Sequence, residues 1–297
     1  MDKNPCAVCY ENQKIPPMHK YIPEPYDSNI TYSEASKLFN IKKTTLKMLR
    51  KRGYNIEREK GLLSLNTQQF IQTYLPFAKQ NNMSLREVLN QIYYKTDNNQ
   101  GIVVYFGNSK NDNKFSQKKP KYSKKQFCRF VGYISKYQGI NFAILITPVE
   151  LSNDSKRCAS KLLKYTFQFF NEIELVYDPT EHYMVPEHRI LSNVELTSLL
   201  KNNASANVET FPHILVTDPI VKYLGGQVGE VVEIERINIL ETSIPKYKVY
   251  RLIVGAAQQR YDPTLNEESE NIENDNDMTA IQDIEGADIG SKRLFDY

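Results

Sequence analysis

The stretch DPTEHYMVPEHRILS, residues 178–192, holds two Glu-His pairs, Glu181-His182 and Glu187-His188, in a chain with only four histidines. A carboxylate beside an imidazole can do general acid–base work, and both groups can hold a divalent metal. Either chemistry needs more than a pair. A metal takes three or four convergent ligands, and neither His19 nor His213 is tied to this stretch by spacing. A catalytic pair needs a nucleophile or a pocket, and the sequence marks neither. Cys6 and Cys9 form a single Cys-x-x-Cys with only His19 near it, and Cys128 and Cys158 are isolated. The residues give no catalytic set, no metal site, no cofactor site and no small-molecule substrate.

The other chemistry on offer is electrostatic. Lys110, Lys114, Lys118, Lys119, Lys121, Lys124 and Lys125 crowd residues 107–125 against the single acid Asp112. A lysine-rich loop neutralises phosphates without reading sequence; it also fits a solvated insertion. Residues 262–288 carry ten acids and no Lys or Arg, so the net charge of +3 conceals a body, 1–261, with 36 basic and 24 acidic residues. A basic body with an acidic tail suits work near a polyanion. A solvated surface with a disordered end explains the charge as well, and charge alone favours that reading.

The elements that must position these groups follow from pattern. Hydrophobic content of 40% is that of a globular protein, no apolar run approaches membrane-spanning length, and the first residues lack the basic-then-apolar layout of a secretory signal. With four cysteines and no such signal, a reducing compartment is expected. Residues 1–29 read as an extension. Residues 31–52 predict a helix with a Thr31/Glu34 capping box and a stop at Gly53. Helices are expected at 67–80, 84–94 (Ser84 cap, Glu87) and 154–170. Strands are expected at 101–106, 126–135, 141–147 and 172–178. Strands and helices alternating over 60–178 argue for a mixed α/β domain. Beyond it, Ser192 and Glu195 open a helix, Asp218 caps another with Pro219 at its first position, and Gly225 ends that one. Residues 230–237 and 247–254 should pair as a hairpin, with Ile234 and Leu252 in the core.

Here the chain resembles a family. The residues that carry the resemblance are His182, Val185-Pro186 and His188; then Leu191-Ser192, Pro212 with Ile214, Asp218-Pro219 and Gly225; then GEVVEIER at 229–236 and Tyr250-Arg251. In that order and spacing they look like the fifth-largest subunit of eukaryotic-type DNA-directed RNA polymerases, and the shorter archaeal counterpart of that subunit is similar to this C-terminal part alone. RKRGYNI (50–56) and NFAILITPVELSNDSKRCAS (141–160) continue the resemblance upstream. His213 stands where the family has a basic residue, and the hairpin loop, 238–246, is longer than the family's.

The resemblance implies an N-terminal α/β jaw-like domain, restriction-endonuclease-like without an active site, over 30–180. It implies a small α+β assembly domain over 181–255; the rest, 256–297, has no counterpart in the family and reads by composition as an acidic disordered tail. It implies a non-catalytic subunit that docks on the largest polymerase subunit and touches neighbouring subunits, with downstream DNA held weakly and without specificity. Pro186, His188, Pro212, Ile214, Asp218, Pro219, Gly225, Arg236, Tyr250 and Arg251 are then candidates for the subunit interface. Lys118, Lys119, Lys121, Lys124 and Lys125 are candidates for nucleic-acid proximity. An exposed edge of the hairpin could take a strand from the largest subunit. Restriction-type chemistry needs an Asp and a Glu-x-Lys pair; GIVVYFGNSK carries no acid, and Glu150 is followed by Leu-Ser. The compartment would be the nucleus for a cellular protein. It would be a virion or a cytoplasmic viral factory for a viral one; the abundance of Asn, Lys, Ile and Tyr, with the departures from the family, points to a large DNA virus or a divergent eukaryote.

Two further readings belong beside this one. His182 and His188 flank Val185-Pro186 as hinge residues that brace one domain against the other, with the adjacent glutamates incidental. Residues 31–54 also resemble a helix-turn-helix, with Asn40 at the turn and Thr44-Thr45-Leu46-Lys47 opening a recognition helix. That alternative makes the chain a free-standing DNA-binding regulator.

Overall fold

The run GIVVYF, Gly101–Phe106, is buried at every position, and a strand with no polar face must be covered on both sides. The computed structural model describes residues 30–108, 120–202, 207–237 and 246–255, and in it this run is an inner strand. It is β2 of a four-stranded sheet ordered β1-β2-β3-β4, with β1 Gln91–Tyr94, β3 Phe142–Thr147 and β4 Thr166–Asn171. β1 runs antiparallel to β2; β2, β3 and β4 are parallel, with Ile102 opposite Phe142 and Phe142 opposite Thr166.

Side chains alternate across a strand, and the two core layers follow that period. Ile102, Val104, Phe106, Ile144 and Ile146 pack under α1 (Tyr32–Lys51), α2 (Thr67–Gln80) and α3 (Leu85–Leu89). Val103, Tyr105, Ala143 and Leu145 pack against α4 (Lys124–Ile134) and α5 (Asn153–Lys161). Each large apolar side chain buried this way is worth about 1.5–3 kcal/mol.

Several expectations need correction. Residues 126–135 form α4, not a strand. Its buried Phe127, Phe130, Val131 and Ile134 recur at i, i+3, i+4 and i+7, and Ser123 and Gln126 close a capping box. The helix expected over 84–94 ends at Leu89. Asn90 Oδ1 accepts from Phe106 N at 2.7 Å, and residues 91–94 join the sheet. The helix expected over 154–170 ends at Lys161, because the aromatic run at 166–171 pairs with β3 as β4. Residues 172–178 are not a strand: Asn171 and Glu174 cap a short helix, α6 (Glu172–Leu175). At the start of α1, Thr31 Oγ1 accepts from Glu34 N at 3.2 Å, while the Glu34 carboxylate turns to Arg86, so the box is half made. Gly53, at φ +82°, ends α1 as expected.

The second sheet is ordered β5-β7-β8-β6: β5 Glu187–Ile190, β6 His213–Leu215, β7 Val231–Ile237 and β8 Lys246–Val254. β7 and β8 form the antiparallel hairpin, β5 flanks β7, and β6 runs parallel to the end of β8. Helix α7 (Asn193–Asn202) follows β5, and α8 (Pro219–Leu224) lies between β6 and β7. Val221, Val232, Ile234 and Ile253 make its core. Leu252 is half-buried rather than core. Register explains this: Val232 faces Arg251 and Ile234 faces Val249, so Val249, Arg251 and Ile253 share the face of that core and Leu252 lies on the other. The two sheets share one compact unit that ends at Val254.

Candidate subunit interface

Where α1 ends, Arg52 turns toward the second sheet. Its Nε donates to Tyr223 O at 2.9 Å and one terminal nitrogen donates to Lys222 O at 2.8 Å. These are last-turn carbonyls of α8, and Lys222 O also accepts from Gly225 N at 3.2 Å. Gln168 Nε2, from β4, donates to the same Lys222 carbonyl at 2.8 Å. From the connecting segment, Asp178 accepts from Tyr223 Oη at 2.9 Å and from Thr180 N at 2.9 Å. The Lys222 ammonium pairs with Glu174 and lies over the Phe170 ring. Burial pulls the Arg52 pKa down to about 10, with Tyr54 and Tyr223 opposing it, so the guanidinium is cationic at neutral pH. Burial and then Asp178 push the Tyr223 phenol up, so it stays a donor. A cleft of about 1280 Å³ opens beside this join, with Lys95, His188 and Glu230 on its walls.

The bracing therefore differs from the histidine hinge. His182 is exposed and its Nδ1 accepts from Met184 N at 3.2 Å; the His188 Nδ1 sits 2.7 Å from Pro186 O. Both contacts are local, and the groups that cross the join include Arg52, Gln168, Asp178 and Tyr223, with Lys222 paired to Glu174.

The expected interface residues do not converge on one patch. Asp218 Oδ1 accepts from Ile220 N at 2.9 Å and Val221 N at 3.2 Å, and Pro219 sits at the first helical position. Gly225 takes φ +80°, and a Cβ there would lie 3.2 Å from the Arg52 guanidinium carbon, so it faces its own chain rather than an open surface. Pro212 O accepts from Leu252 N at 2.9 Å, and Ile214 pairs with Ile253. Arg251 points inward: one terminal nitrogen donates to His213 O at 3.2 Å, and Nε is buried without a hydrogen-bond partner among the described residues. On the outer face, Tyr250 opposes Glu233, which pairs with Arg189 at 3.1 Å and Lys248 at 3.2 Å. Arg236 is exposed near the hairpin tip.

β7 and β8 are inner strands, so the hairpin as a whole is not an edge. The exception is Lys246–Arg251. β6 pairs only with Leu252–Val254, and no described strand lies beyond the earlier part of β8. Of the lysines, Lys121 is exposed, and Lys124 and Lys125 lie in the first turn of α4. Lys110, Lys114, Lys118 and Lys119 lie outside the described residues, as do the extension 1–29 with Cys6 and Cys9, loop 238–245 and the acidic tail. Among the described residues no group of three His, Cys, Asp or Glu is placed to hold a metal, and no helix is long and apolar enough to cross a membrane.

The helix-turn-helix is overturned. α1 runs unbroken through Asn40, and its Thr44, Thr45 and Leu46 are buried, with Thr45 Oγ1 donating to Ile41 O at 2.7 Å.

Comparison with known proteins accords with this architecture. Residues 177–253 match the family model "RNA polymerase Rpb5, C-terminal domain", and residues 32–122 match "RNA polymerase Rpb5, N-terminal domain". The chain is 30% identical over 222 residues to the DNA-directed RNA polymerase subunit 5-like protein 1 of Arabidopsis thaliana, covering 74% of this chain and 97% of the relative. It is 28% identical over 222 residues to the RPABC1 subunit of DNA-directed RNA polymerases I, II and III of Caenorhabditis briggsae, with the same coverage. The DNA-directed RNA polymerase subunit Rpo5 of Thermococcus kodakarensis is 40% identical over 74 residues, 25% of this chain and 85% of the relative.

Proposed function

Because the chain belongs to the Rpb5 family, and so is a subunit of a DNA-directed RNA polymerase, we propose that its second sheet is the module that docks on the largest polymerase subunit. The first sheet, with its helical layers, then forms part of the jaw near downstream DNA. The observation that carries the docking reading is the open edge of β8 from Lys246 to Arg251. An unpaired edge is a template for a strand from another chain, and Tyr247, exposed on it, supplies an aromatic anchor. The 74-residue archaeal match supports a module of about this size as a part with its own role. A photo-crosslinking residue at Tyr247 in the assembled polymerase tests this. Adducts with the largest subunit support the reading, and adducts confined to other subunits reject it.

Catalysis belongs to the assembly, and we propose that this subunit supplies none of it. Three parallel strands with one antiparallel neighbour, covered by helices on both faces, support a restriction-endonuclease-like jaw. Glu150 is followed by Leu151 and Ser152 where that chemistry needs a lysine two positions on. Matched relatives include plant, nematode and Dictyostelium discoideum proteins, which supports the nucleus over a viral factory as the compartment. Lys121, Lys124 and Lys125, with Lys118 and Lys119 next to them in sequence, are the groups we place nearest downstream DNA.

A further inference from the structure

We propose that Arg52 is a positioning residue that pins α8 to the end of α1, so that the two sheets move as one body. Three observations converge on this pin. First, the guanidinium bridges two adjacent carbonyls, Lys222 O and Tyr223 O, at 2.8 and 2.9 Å. A planar fork can hold two acceptors at once, and a lysine ammonium lacks that geometry. A cation is also favoured at a helix C-terminus, where the backbone dipole is negative.

Second, the seat is shaped for it. Gly225 ends α8 at φ +80°, and its missing side chain leaves the space where the guanidinium lies; a Cβ would meet Cζ and Nε at 3.2 Å. Third, the connection between the sheets is tied to α1 at its start, where Lys47 pairs with Glu181 and Lys51 donates to Thr180. Beyond that point His182, Tyr183 and Met184 are exposed, and the described hydrogen bonds of His182 and His188 stay within the segment. Arg52 is the fork at the centre of a wider contact, in which Gln168 shares the Lys222 carbonyl, Asp178 holds Tyr223, Lys222 pairs with Glu174, and the Tyr223 ring joins the core under α1.

In an assembled polymerase such a pin would let the docked module fix where the jaw stands. That consequence rests on the docking reading; the pin itself is a property of the chain alone, so its test needs no polymerase.

The test is pulsed electron spin resonance on the full chain, with Cys6 and Cys9 replaced by serine and nitroxides at Gln72→Cys on α2 and Ser198→Cys on α7, both exposed positions. With Arg52 present, one narrow distance is expected. Arg52→Ala should broaden it, and Gly225→Ala, which leaves the arginine in place but fills its seat, should do the same. Hydrogen exchange in β2 and β7 should stay at the parent level in both. Unchanged widths in both variants overturn the pin, and so does broadening in Gly225→Ala alone. Loss of protection in β2 and β7 together in Arg52→Ala would make Arg52 a folding residue, which also overturns it.

Discussion

The Lys42 ammonium lies 3.0 Å from the Glu59 carboxylate, its side chain wholly buried on the inner side of α1. It also donates to Leu89 O at 3.0 Å and to the Tyr93 hydroxyl at 2.8 Å, and Tyr93 in turn donates to Glu59. A buried charge is tolerated only when paired and hydrogen-bonded. Glu59→Gln should therefore cost about 3 kcal/mol, and Lys42→Met should cost less, because the Glu59 carboxylate it leaves unpaired reaches solvent in part and keeps the Tyr93 hydroxyl. Burial already lowers the Lys42 pKa, against the opposing pull of Glu59. Without Glu59 the fall is greater. In the window between the lowered folded value and the ordinary lysine range, the unfolded state binds more protons, so the stability of Glu59→Gln should rise with pH. Urea unfolding of both variants across that range checks the sign.

Asp218 caps α8 with two backbone hydrogen bonds. Asp218→Ala should lose about 1–2 kcal/mol, and Asp218→Asn less, since an amide oxygen still accepts. Chemical unfolding measures the difference.

Arg129 is exposed in the middle of α4. Proline there removes a helical hydrogen bond and clashes with the preceding turn, so Arg129→Pro should cost about 3 kcal/mol or more, read from the thermal midpoint. A near-neutral result would contradict the helical assignment of 124–134.

That assignment shows what a sequence hides. Ser192 with Glu195, Asp218 with Pro219, and Gly225 were legible because a cap is decided within four residues of chain. The β7–β8 pair was legible from its flanking glycine and its aliphatic texture. Residues 126–135 misled because Cys128 and Phe130, with Arg129 between, imitate alternation; the Ser123–Gln126 capping box was the better signal. Residues 166–171 became a strand only because β3 lies beside them, which no local pattern reports. The join was illegible for the same reason. Arg52 stands 171 residues from Tyr223, and nothing in RKRGYNI marks which of its cations crosses the gap.

Glu195 accepts from the Ser192 backbone N–H and hydroxyl and pairs with Arg189, which together hold its pKa down at about 2. A depressed carboxylate contributes stability that is fully present above its ordinary value and lost as pH falls through the folded one. Glu195→Gln should therefore flatten the acid limb of the stability curve below about pH 4.5. A carboxyl resonance for Glu195 titrating at its ordinary value would contradict the capping geometry.

Replacing Lys118, Lys119, Lys121, Lys124 and Lys125 with serine should make the elongation complex dissociate at lower salt, since each phosphate contact adds to the salt slope of binding. An unchanged salt midpoint would remove these lysines from the DNA path.

Residence in a polymerase is tested most directly by affinity purification of the tagged full-length chain from cells that express it, followed by mass spectrometry of what it carries. The largest polymerase subunit and its neighbours should come with it in stoichiometric amounts, held through the second sheet. Recovery of the chain without any polymerase subunit would contradict that role.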